Sequence, residues 1–326
     1  MKPAPFAYVA PDSVEGVVGA LVEAGDDAKV LAGGQSLLPL MALRLGRPAV
    51  LVDVGRVAQL DRVEVVGGDL VVGATVTHAR LGRDPEVARV APLLAEVAPF
   101  VAHAAVRNRG TLGGAVAHGD PAGEFPTVAL TLDAEIEATS AAGTRTVAAT
   151  DFFTGLWETA LEPGEVLTAV GFPVWGARSG FGFHEFARRH GDFAIAGATV
   201  AVQLDATNTI SRCGIGLLGL GSTPLRAAVA EAELIGRPVS DVDAEEIGRL
   251  AMADLDEVPA ARHLVQMKTK QHIRHQEPRD QHKDQRQRQS DHHPFQKADL
   301  APQFVRDIAR DDGIGRAAQQ CAQAPD

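Results

Sequence analysis

The chain has 326 residues, of which 45% are hydrophobic and 22% charged, and its formal net charge at pH 7 is −11. At about 100–200 residues per domain, this length predicts two or three domains. The two cysteines, Cys213 and Cys321, are too few for a disulfide framework or for a cysteine-ligated zinc or iron–sulfur site within the chain. The acidic balance argues against nucleic-acid binding, no apolar run could span a membrane, and no secretory signal core is seen. A cytoplasmic globular protein is therefore expected.

The composition changes near residue 262. Residues 1–261 carry 19 Lys and Arg against 33 Asp and Glu, whereas 262–326 carry 12 against 9. The later segment also holds 6 of the 11 histidines but only 2 of the 33 glycines. A segment this polar cannot bury enough surface to offset its chain entropy. We therefore expect 263–326 to be a polar, largely disordered tail, and its histidines show no repeated spacing typical of metal ligands.

Strand and helix signals alternate through the first 175 residues. Ser13 is a suitable N-cap for a helix that ends near Ala24. The strands that follow are predicted over 29–32, 49–53, 63–66, 69–73, 135–139, 144–147 and 167–172, and the helices over 37–44, 85–101 and 121–132. From 181 onward, strands are predicted over 181–186, 194–204 and 210–219, and helices over 226–235 and 241–253. This order is typical of an α+β protein, with a mixed first half followed by an antiparallel sheet with helices.

Two glycines connect the strand ending near Leu31 to a helix beginning at Leu37. We call Ala32-Gly33-Gly34-Gln35-Ser36 the first glycine loop. Glycine permits positive φ and close approach of a ligand, and free N–H groups before a helix favour a phosphate. The spacing matches neither Gly-x-Gly-x-x-Gly nor a phosphate loop ending in Gly-Lys-Ser/Thr. Taken alone, such a loop is more often a tight turn than a ligand site.

A second glycine-rich stretch, 107–124, is long and polar although apolar sequence surrounds it. We predict that it is a loop whose backbone amides form an anion-binding nest. The candidate ligands are Thr111 for a phosphate, Asp120 and Glu124 for a hydroxyl, and Arg107 and Arg109 for a pyrophosphate. The alternative is an ordinary surface loop, but two such loops in one chain favour a shared dinucleotide. Residues 109–115 are called the second glycine loop.

A third motif, Arg188-Arg-His-Gly-Asp-Phe-Ala194, precedes an apolar strand and is equally consistent with salt-bridged residues at the start of that strand. His78 is expected to cap a helix turn or to touch a ligand, and Cys213 to lie in the core. The five histidines before the tail show no His-x-x-x-His spacing, so no metal site is predicted.

The first glycine loop and Thr111-Leu-Gly-Gly-Ala115, about 80 residues later, resemble the paired flavin-binding motifs of one family, and the third motif resembles that family's third signature. The family is the FAD-binding (medium) subunit of molybdenum hydroxylases, of the carbon monoxide dehydrogenase and xanthine dehydrogenase type. Each motif is modest alone, but three in this order and at these spacings are specific together. The resemblance covers roughly residues 4–260.

The resemblance implies a two-subdomain FAD-binding domain of the vanillyl-alcohol-oxidase or PCMH type over 1–176. A smaller, incomplete domain of antiparallel sheet plus helices would follow over 177–262. FAD would be non-covalent, since no histidine or cysteine flanks the first glycine loop for attachment. No residue is implied to be catalytic and none to bind a metal. The implied cofactor-binding residues are Leu31, Ala32, Gly33, Gly34, Gln35, Ser36, Leu37, Arg109, Gly110, Thr111, Leu112, Gly113, Gly114, Ala115, Asp120, Glu124, Leu167 and Phe193.

Within this set, the resemblance implies that backbone amides of the two loops hold the pyrophosphate. Glu124 would be the acidic partner of the cofactor, and Leu167 would contact its flavin or adenine side. Phe193 would screen the isoalloxazine ring, where relatives have tyrosine. Relatives often carry a lysine just before the Arg-Arg pair, but this chain has His184-Glu-Phe186 there.

The implied function is that of an electron-transfer subunit. A partner large subunit would hold molybdopterin and a partner small subunit two [2Fe–2S] clusters, and FAD would pass the electrons to an external acceptor. The alternatives are a stand-alone FAD oxidoreductase of the same superfold and a non-functional scaffold subunit with an altered C-terminus. The second alternative arises because the tail departs from the family after about residue 260, for which one hypothesis is a reading-frame change.

Overall fold

The computed structural model describes residues 2–253 and 255. The predicted tail and Cys321 lie outside the described residues. The strands are β1 (Ala7–Val9), β2 (Ala28–Leu31), β3 (Val50–Asp53), β4 (Val63–Val66), β5 (Asp69–Gly73), β6 (Glu135–Ser140), β7 (Gly143–Ala148), β8 (Phe153–Gly155), β9 (Glu158–Thr159), β10 (Val166–Pro173), β11 (Ser179–Ala187), β12 (Ala194–Leu204), β13 (Ile210–Leu218) and β14 (Leu225–Arg226). The α-helices are α1 (Val14–Ala24), α2 (Leu37–Ala42), α3 (His78–Leu81), α4 (Pro85–Val90), α5 (Pro92–Val97), α6 (Ala104–Arg107), α7 (Leu112–His118), α8 (Glu124–Thr131), α9 (Ala149–Phe152), α10 (Ala228–Leu234) and α11 (Ala244–Ala253).

A small parallel sheet, in the order β1-β3-β2, opens the fold. Helix α1 covers it and begins as predicted, because the Ser13 hydroxyl accepts a hydrogen bond from the Gly16 amide at 3.2 Å. Val17 and Leu21 on the buried face of α1 pack into one cluster with Val52 of β3. The first glycine loop leaves this sheet at the carboxyl end of β2.

A five-stranded antiparallel sheet follows, in the order β4-β5-β10-β6-β7. Both predicted hairpins occur in it, and Gly67 and Gly68 adopt the positive φ that the β4–β5 turn requires. Side chains of this sheet and of helices α4, α5, α7 and α8 form one main core, whose largest fully buried side chains include Phe125, Phe152 and Phe172.

The last sheet is antiparallel, in the order β11-β12-β13-β14, and carries α10 and α11 in a separate cluster. Helix α8 packs closely on it, since a Cβ at Gly214 would lie 2.1 Å from the carbonyl oxygen of Thr131. The predicted α+β class is confirmed. The predicted domain boundary at 176/177 falls between β10 and β11 and stays a prediction. No helix of the described chain is long and apolar enough to cross a bilayer.

Two predicted elements were wrong in detail. The helix expected over 85–101 divides at Pro92, because proline lacks the N–H that a continuous helix needs. The stretch 107–124, expected as a loop, contains helix α7. This helix forms despite its two glycines because Thr111 caps its start and Gly119, in the left-handed conformation, ends it.

Candidate functional site

The two glycine loops touch each other although about 80 residues separate them. A Cβ at Gly33 would lie 2.1 Å from the carbonyl oxygen of Arg109 and 2.7 Å from Cα of Gly110. A Cβ at Gly114 would lie 3.4 Å from the Cβ of Ala32. Any side chain at position 33 would prevent this approach. The contact between the loops therefore explains why residue 33 is glycine, which the need for a flexible loop alone would not.

The first glycine loop presents unused backbone donors. Among the described residues, the N–H groups of Gly33, Gly34, Gln35 and Ser36 donate no hydrogen bond. Gly34 has φ of +70°, and the Gln35 side-chain amide donates to the Gly33 carbonyl at 2.9 Å, which stiffens the turn. The Ser36 hydroxyl makes no capping bond. Consecutive free amides in such a turn form a cradle for an anion.

The second glycine loop is anchored to the end of β5. The amides of Leu112 and Gly113 donate to the carbonyls of Val76 and Ala74 at 2.9 and 3.0 Å. The side chain of Leu112 lies in the main core. The buried Thr111 hydroxyl accepts from the Gly114 amide at 3.1 Å and keeps its own proton free to donate.

The two arginines of the second stretch have different roles. Arg107, a candidate for a pyrophosphate, instead donates to the carbonyls of Val101 and Ala102 at 3.0 and 2.8 Å. Its guanidinium therefore stabilises the turn before α6. The Arg109 side chain is exposed, and its guanidinium makes no hydrogen bond or ion pair within the described chain. Arg109 is thus the arginine available to a ligand.

His78 supports the second glycine loop from beneath. It is 4% exposed, begins α3 after the N-cap Thr77, and stacks on Phe125 with ring centroids 4.8 Å apart. A Cβ at Gly110 would lie 2.8 Å from its Cδ2, so ring and loop are in contact. Its Nδ1 has no hydrogen-bond partner in the described residues. Burial, assisted by the positive charge of Arg107, lowers the pKa of His78 to about 4.

We predict that His78→Phe changes the pH dependence of stability. Because the folded-state pKa of His78 is depressed below 6.5, its contribution is present above pH 6.5 and is lost as pH falls toward 4. The wild-type chain should lose about 2 kcal/mol relative to the variant between pH 7.5 and pH 5. Urea denaturation of both proteins at the two pH values measures this difference. Parallel pH profiles would contradict it.

Acidic side chains gather where α8 begins. Glu124 is the first residue of α8, and burial, assisted by the charge of Asp120, raises its pKa to about 7. Glu185 on β11 has its pKa raised to about 7 by burial and then by Glu124, and its Oε2 has no hydrogen-bond partner in the described chain. Sequence reasoning missed Glu185. Strand alternation was the available signal, since Phe181 and Phe183, on the same face, enter the main core.

The third motif packs on the turn that precedes the second glycine loop. Gly191 has φ of +85°, and a Cβ there would lie 2.7 Å from Nδ1 of His103 and 2.9 Å from the carbonyl oxygen of Ala102. Phe193 is 76% exposed, so its ring is free to cover a ligand. Leu167, in contrast, lies inside the main core on β10.

The structure thus brings together most of the predicted residues. The paired loops form a polar cradle with free amides, a free guanidinium and a hydroxyl donor, which suits a pyrophosphate. Phe193, which belongs to the third motif, is exposed, and its side chain is available to cover a planar ring. The described residues contain no group of three or more side chains placed to hold a metal ion.

Two family models match the chain. The one for the FAD binding domain in molybdopterin dehydrogenase matches residues 4–175. The one for the CO dehydrogenase flavoprotein C-terminal domain matches residues 181–267, and so extends past 260, where the resemblance was expected to end. Together they account for most of the chain.

Individual proteins agree with these models. The chain is 42% identical over 259 residues to the 6-hydroxypseudooxynicotine dehydrogenase complex subunit alpha of Paenarthrobacter nicotinovorans, which covers 79% of this chain and 88% of the relative. It is 38% identical over 237 residues to the carbon monoxide dehydrogenase medium chain of Hydrogenophaga pseudoflava, which covers 73% and 82%. A chain of the solved carbon monoxide dehydrogenase from that organism, in a form lacking the Mo-pyranopterin moiety, has a TM-score of 0.81 at 33% identity and covers 98% of this chain and 100% of that chain. The chain therefore belongs to the FAD-binding medium subunits of the molybdenum hydroxylase family, and it is an oxidoreductase subunit whose cofactor is FAD.

Proposed function

We propose that this chain carries electrons through a non-covalently held FAD. It receives the electrons from the [2Fe–2S] clusters of a partner small subunit and delivers them to an external acceptor. A molybdopterin-containing large subunit reduces those clusters. The observation that supports this proposal most is the contact of the two glycine loops around four free amides. Two relatives are named as a complex subunit and a medium chain, which favours a hetero-oligomer. A cytoplasmic location remains part of the proposal.

The contacts of the two loops support the following residue roles. The amides of Gly33 to Ser36 bind the pyrophosphate, with Arg109 and the Thr111 hydroxyl as further donors. Glu124 is the acidic partner of the cofactor, and its raised pKa allows it to donate or accept a hydrogen bond near neutral pH. Phe193 covers the isoalloxazine ring and excludes water from one of its faces. When bound, FAD supplies the electron-accepting chemistry, and this chain holds and tunes it.

The remaining residues of the predicted set act through the backbone or the core. Leu31 and Leu37 are partly buried on either side of the first glycine loop. Leu112, Gly113 and Leu167 are buried, so we propose that they shape the site from behind. No side chain is assigned as a general acid or base, because electron transfer through FAD does not require one.

An absorption spectrum of the purified full-length chain tests the proposal. We expect a flavin spectrum whose chromophore is released by acid and identified as FAD. Tagged chain should then capture a molybdenum-containing and an iron–sulfur subunit when the three are co-expressed. Turnover of a substrate by the chain alone would favour the stand-alone oxidoreductase, and a folded chain that binds no added FAD would favour the scaffold subunit.

A further inference from the structure

The hairpin formed by β8 and β9 ends in two exposed apolar side chains. Leu156 is 47% and Trp157 60% exposed. Trp157 has φ of +59°, a left-handed conformation that bulky side chains rarely adopt. The two-residue turn of the hairpin accounts for a positive φ at this position, but glycine or asparagine would adopt it without strain, so an exposed tryptophan there suggests a binding role.

The hairpin is fixed at the far end of helix α7. A Cβ at Gly119, which caps the C-terminus of α7, would lie 3.0 Å from Cγ2 of Thr159 and 3.7 Å from Cδ1 of Phe153. The indole N–H of Trp157 donates to Oδ2 of Asp120 at 3.5 Å. Because α7 has seven residues, its two ends are about 10 Å apart. Trp157 is therefore held about one helix length from the Thr111 end of α7.

Strand β2 runs beside α7 over this length. Ala32, just after β2, approaches Gly114 in the first turn of α7. Lys29 in β2 is close enough to His118, in the last turn, to lower the pKa of that imidazole, although burial lowers it more and Asp120 opposes both. The surface between the glycine loops and Trp157 is thus bordered by polar and charged groups, as a ribose with its phosphates would require.

Phe193 and Trp157 are exposed aromatic side chains that belong to segments packed against different parts of the second glycine-rich stretch. Phe193 belongs to the third motif, which packs on the turn before the second glycine loop, whereas Trp157 lies beyond the C-terminus of α7. FAD has a ring system on each side of its pyrophosphate. We propose that Trp157 stacks on the adenine of FAD, with its indole oriented by Asp120, and so makes the chain select FAD over FMN. This inference rests on the proposed function.

Titration of the flavin-free full-length chain with FAD and with FMN tests the assignment. FMN lacks the adenosine half, so Trp157→Ala should weaken FAD binding about tenfold and leave FMN binding unchanged, since an aromatic–base stack contributes this much. Trp157→Phe should keep most of the FAD affinity. Leu156→Ala, at the neighbouring exposed position of the same turn, is the matched control and should change neither.

Tryptophan emission gives a second readout. The chain has two tryptophans, and Trp175 is buried, so Trp157 dominates the exposed emission. AMP should quench this emission in the wild-type chain and leave Trp157→Phe unaffected.

Three outcomes would overturn the assignment. Equal losses for FAD and FMN in Trp157→Ala would indicate a structural role. Unchanged FAD binding in Trp157→Ala would show that Trp157 does not contact the adenine and would favour another binding partner for the hairpin tip, such as a partner chain. If the wild-type chain binds no FAD at all, the proposed function fails together with this inference, whereas in the first two outcomes the wild type still binds FAD.

Discussion

Gly33→Ala is expected to abolish FAD binding by a chain that still folds. The added Cβ would lie 2.1 Å from the carbonyl oxygen of Arg109, and backbone on both sides leaves no flexible side chain to move away. The two loops must separate, which displaces the free amides of the first loop from the second. We expect a loss of at least about 100-fold in FAD affinity, equivalent to about 2.7 kcal/mol, by flavin fluorescence titration.

Gly46→Ala is the matched control for this substitution. Gly46 follows α2 in the same segment, a Cβ there would meet nothing within 4 Å, and neither glycine has positive φ. The control should bind FAD as the wild type does. Circular dichroism of Gly33→Ala should retain the wild-type helix and strand content. Wild-type FAD affinity in Gly33→Ala would show that the paired loops do not hold the cofactor.

Arg226→Ala is expected to lower the free energy of unfolding by about 3 kcal/mol. Arg226 is the last residue of β14, where it donates to Asp133 at 2.5 Å and to the Leu130 carbonyl at 2.7 Å. Its Nε also donates to Glu231 at 2.5 Å. Arg226 and Glu231 are both largely buried, so removal of the guanidinium leaves the carboxylate of Glu231 on α10 with uncompensated charge and breaks the link from α10 to the end of α8.

Thermal unfolding measures this effect, and a melting-temperature drop of roughly 4–6 °C is expected for a chain of this size, since the unfolding entropy is about 2.1 cal/mol/K per residue. Arg226→Lys should recover only part of the loss, because an ammonium cannot make the same divergent set of hydrogen bonds. Arg89→Ala removes a solvent-exposed pair with Glu86 and is the control, and no measurable change in melting temperature is expected for it. Equal effects of Arg226→Ala and Arg89→Ala would contradict the role of Arg226.

The elements that depend on neighbouring residues were predicted closely. Helix α1 begins after Ser13 because its cap is three residues from the amide that it satisfies. The β4–β5 hairpin forms at Gly67-Gly68 because few other residues tolerate two successive positive φ values. The order of the last sheet also follows from short connections between alternating strands.

Prediction was incomplete in two situations. In one, nearby residues favoured different secondary structures, and in the other, a residue elsewhere in the fold determined the partner of a side chain. The glycines of 107–124 favoured a loop, yet the Thr111 and Gly119 caps stabilise α7. From the sequence, Arg107 was a plausible anion ligand, but in the structure its guanidinium donates to the carbonyls of Val101 and Ala102. The same sequence of charged residues and glycines is consistent with a loop or a helix over 107–124, and with a binding or a structural role for Arg107. Only the folded geometry distinguishes these alternatives.

The sequence by itself determined the α+β class, the two glycine loops and the motif order that indicates a flavoprotein medium subunit. The class and the loops depend on caps, turns and alternation, which are encoded within short stretches of chain, whereas the family was indicated by the resemblance of three motifs to its signatures. Only the tertiary structure decided that Gly33 touches Arg109, that His78 and Glu185 are partly or fully removed from water, and that Trp157 is held exposed beyond α7. Each of these depends on contacts between segments far apart in the chain, and burial and close approach are properties of that packing.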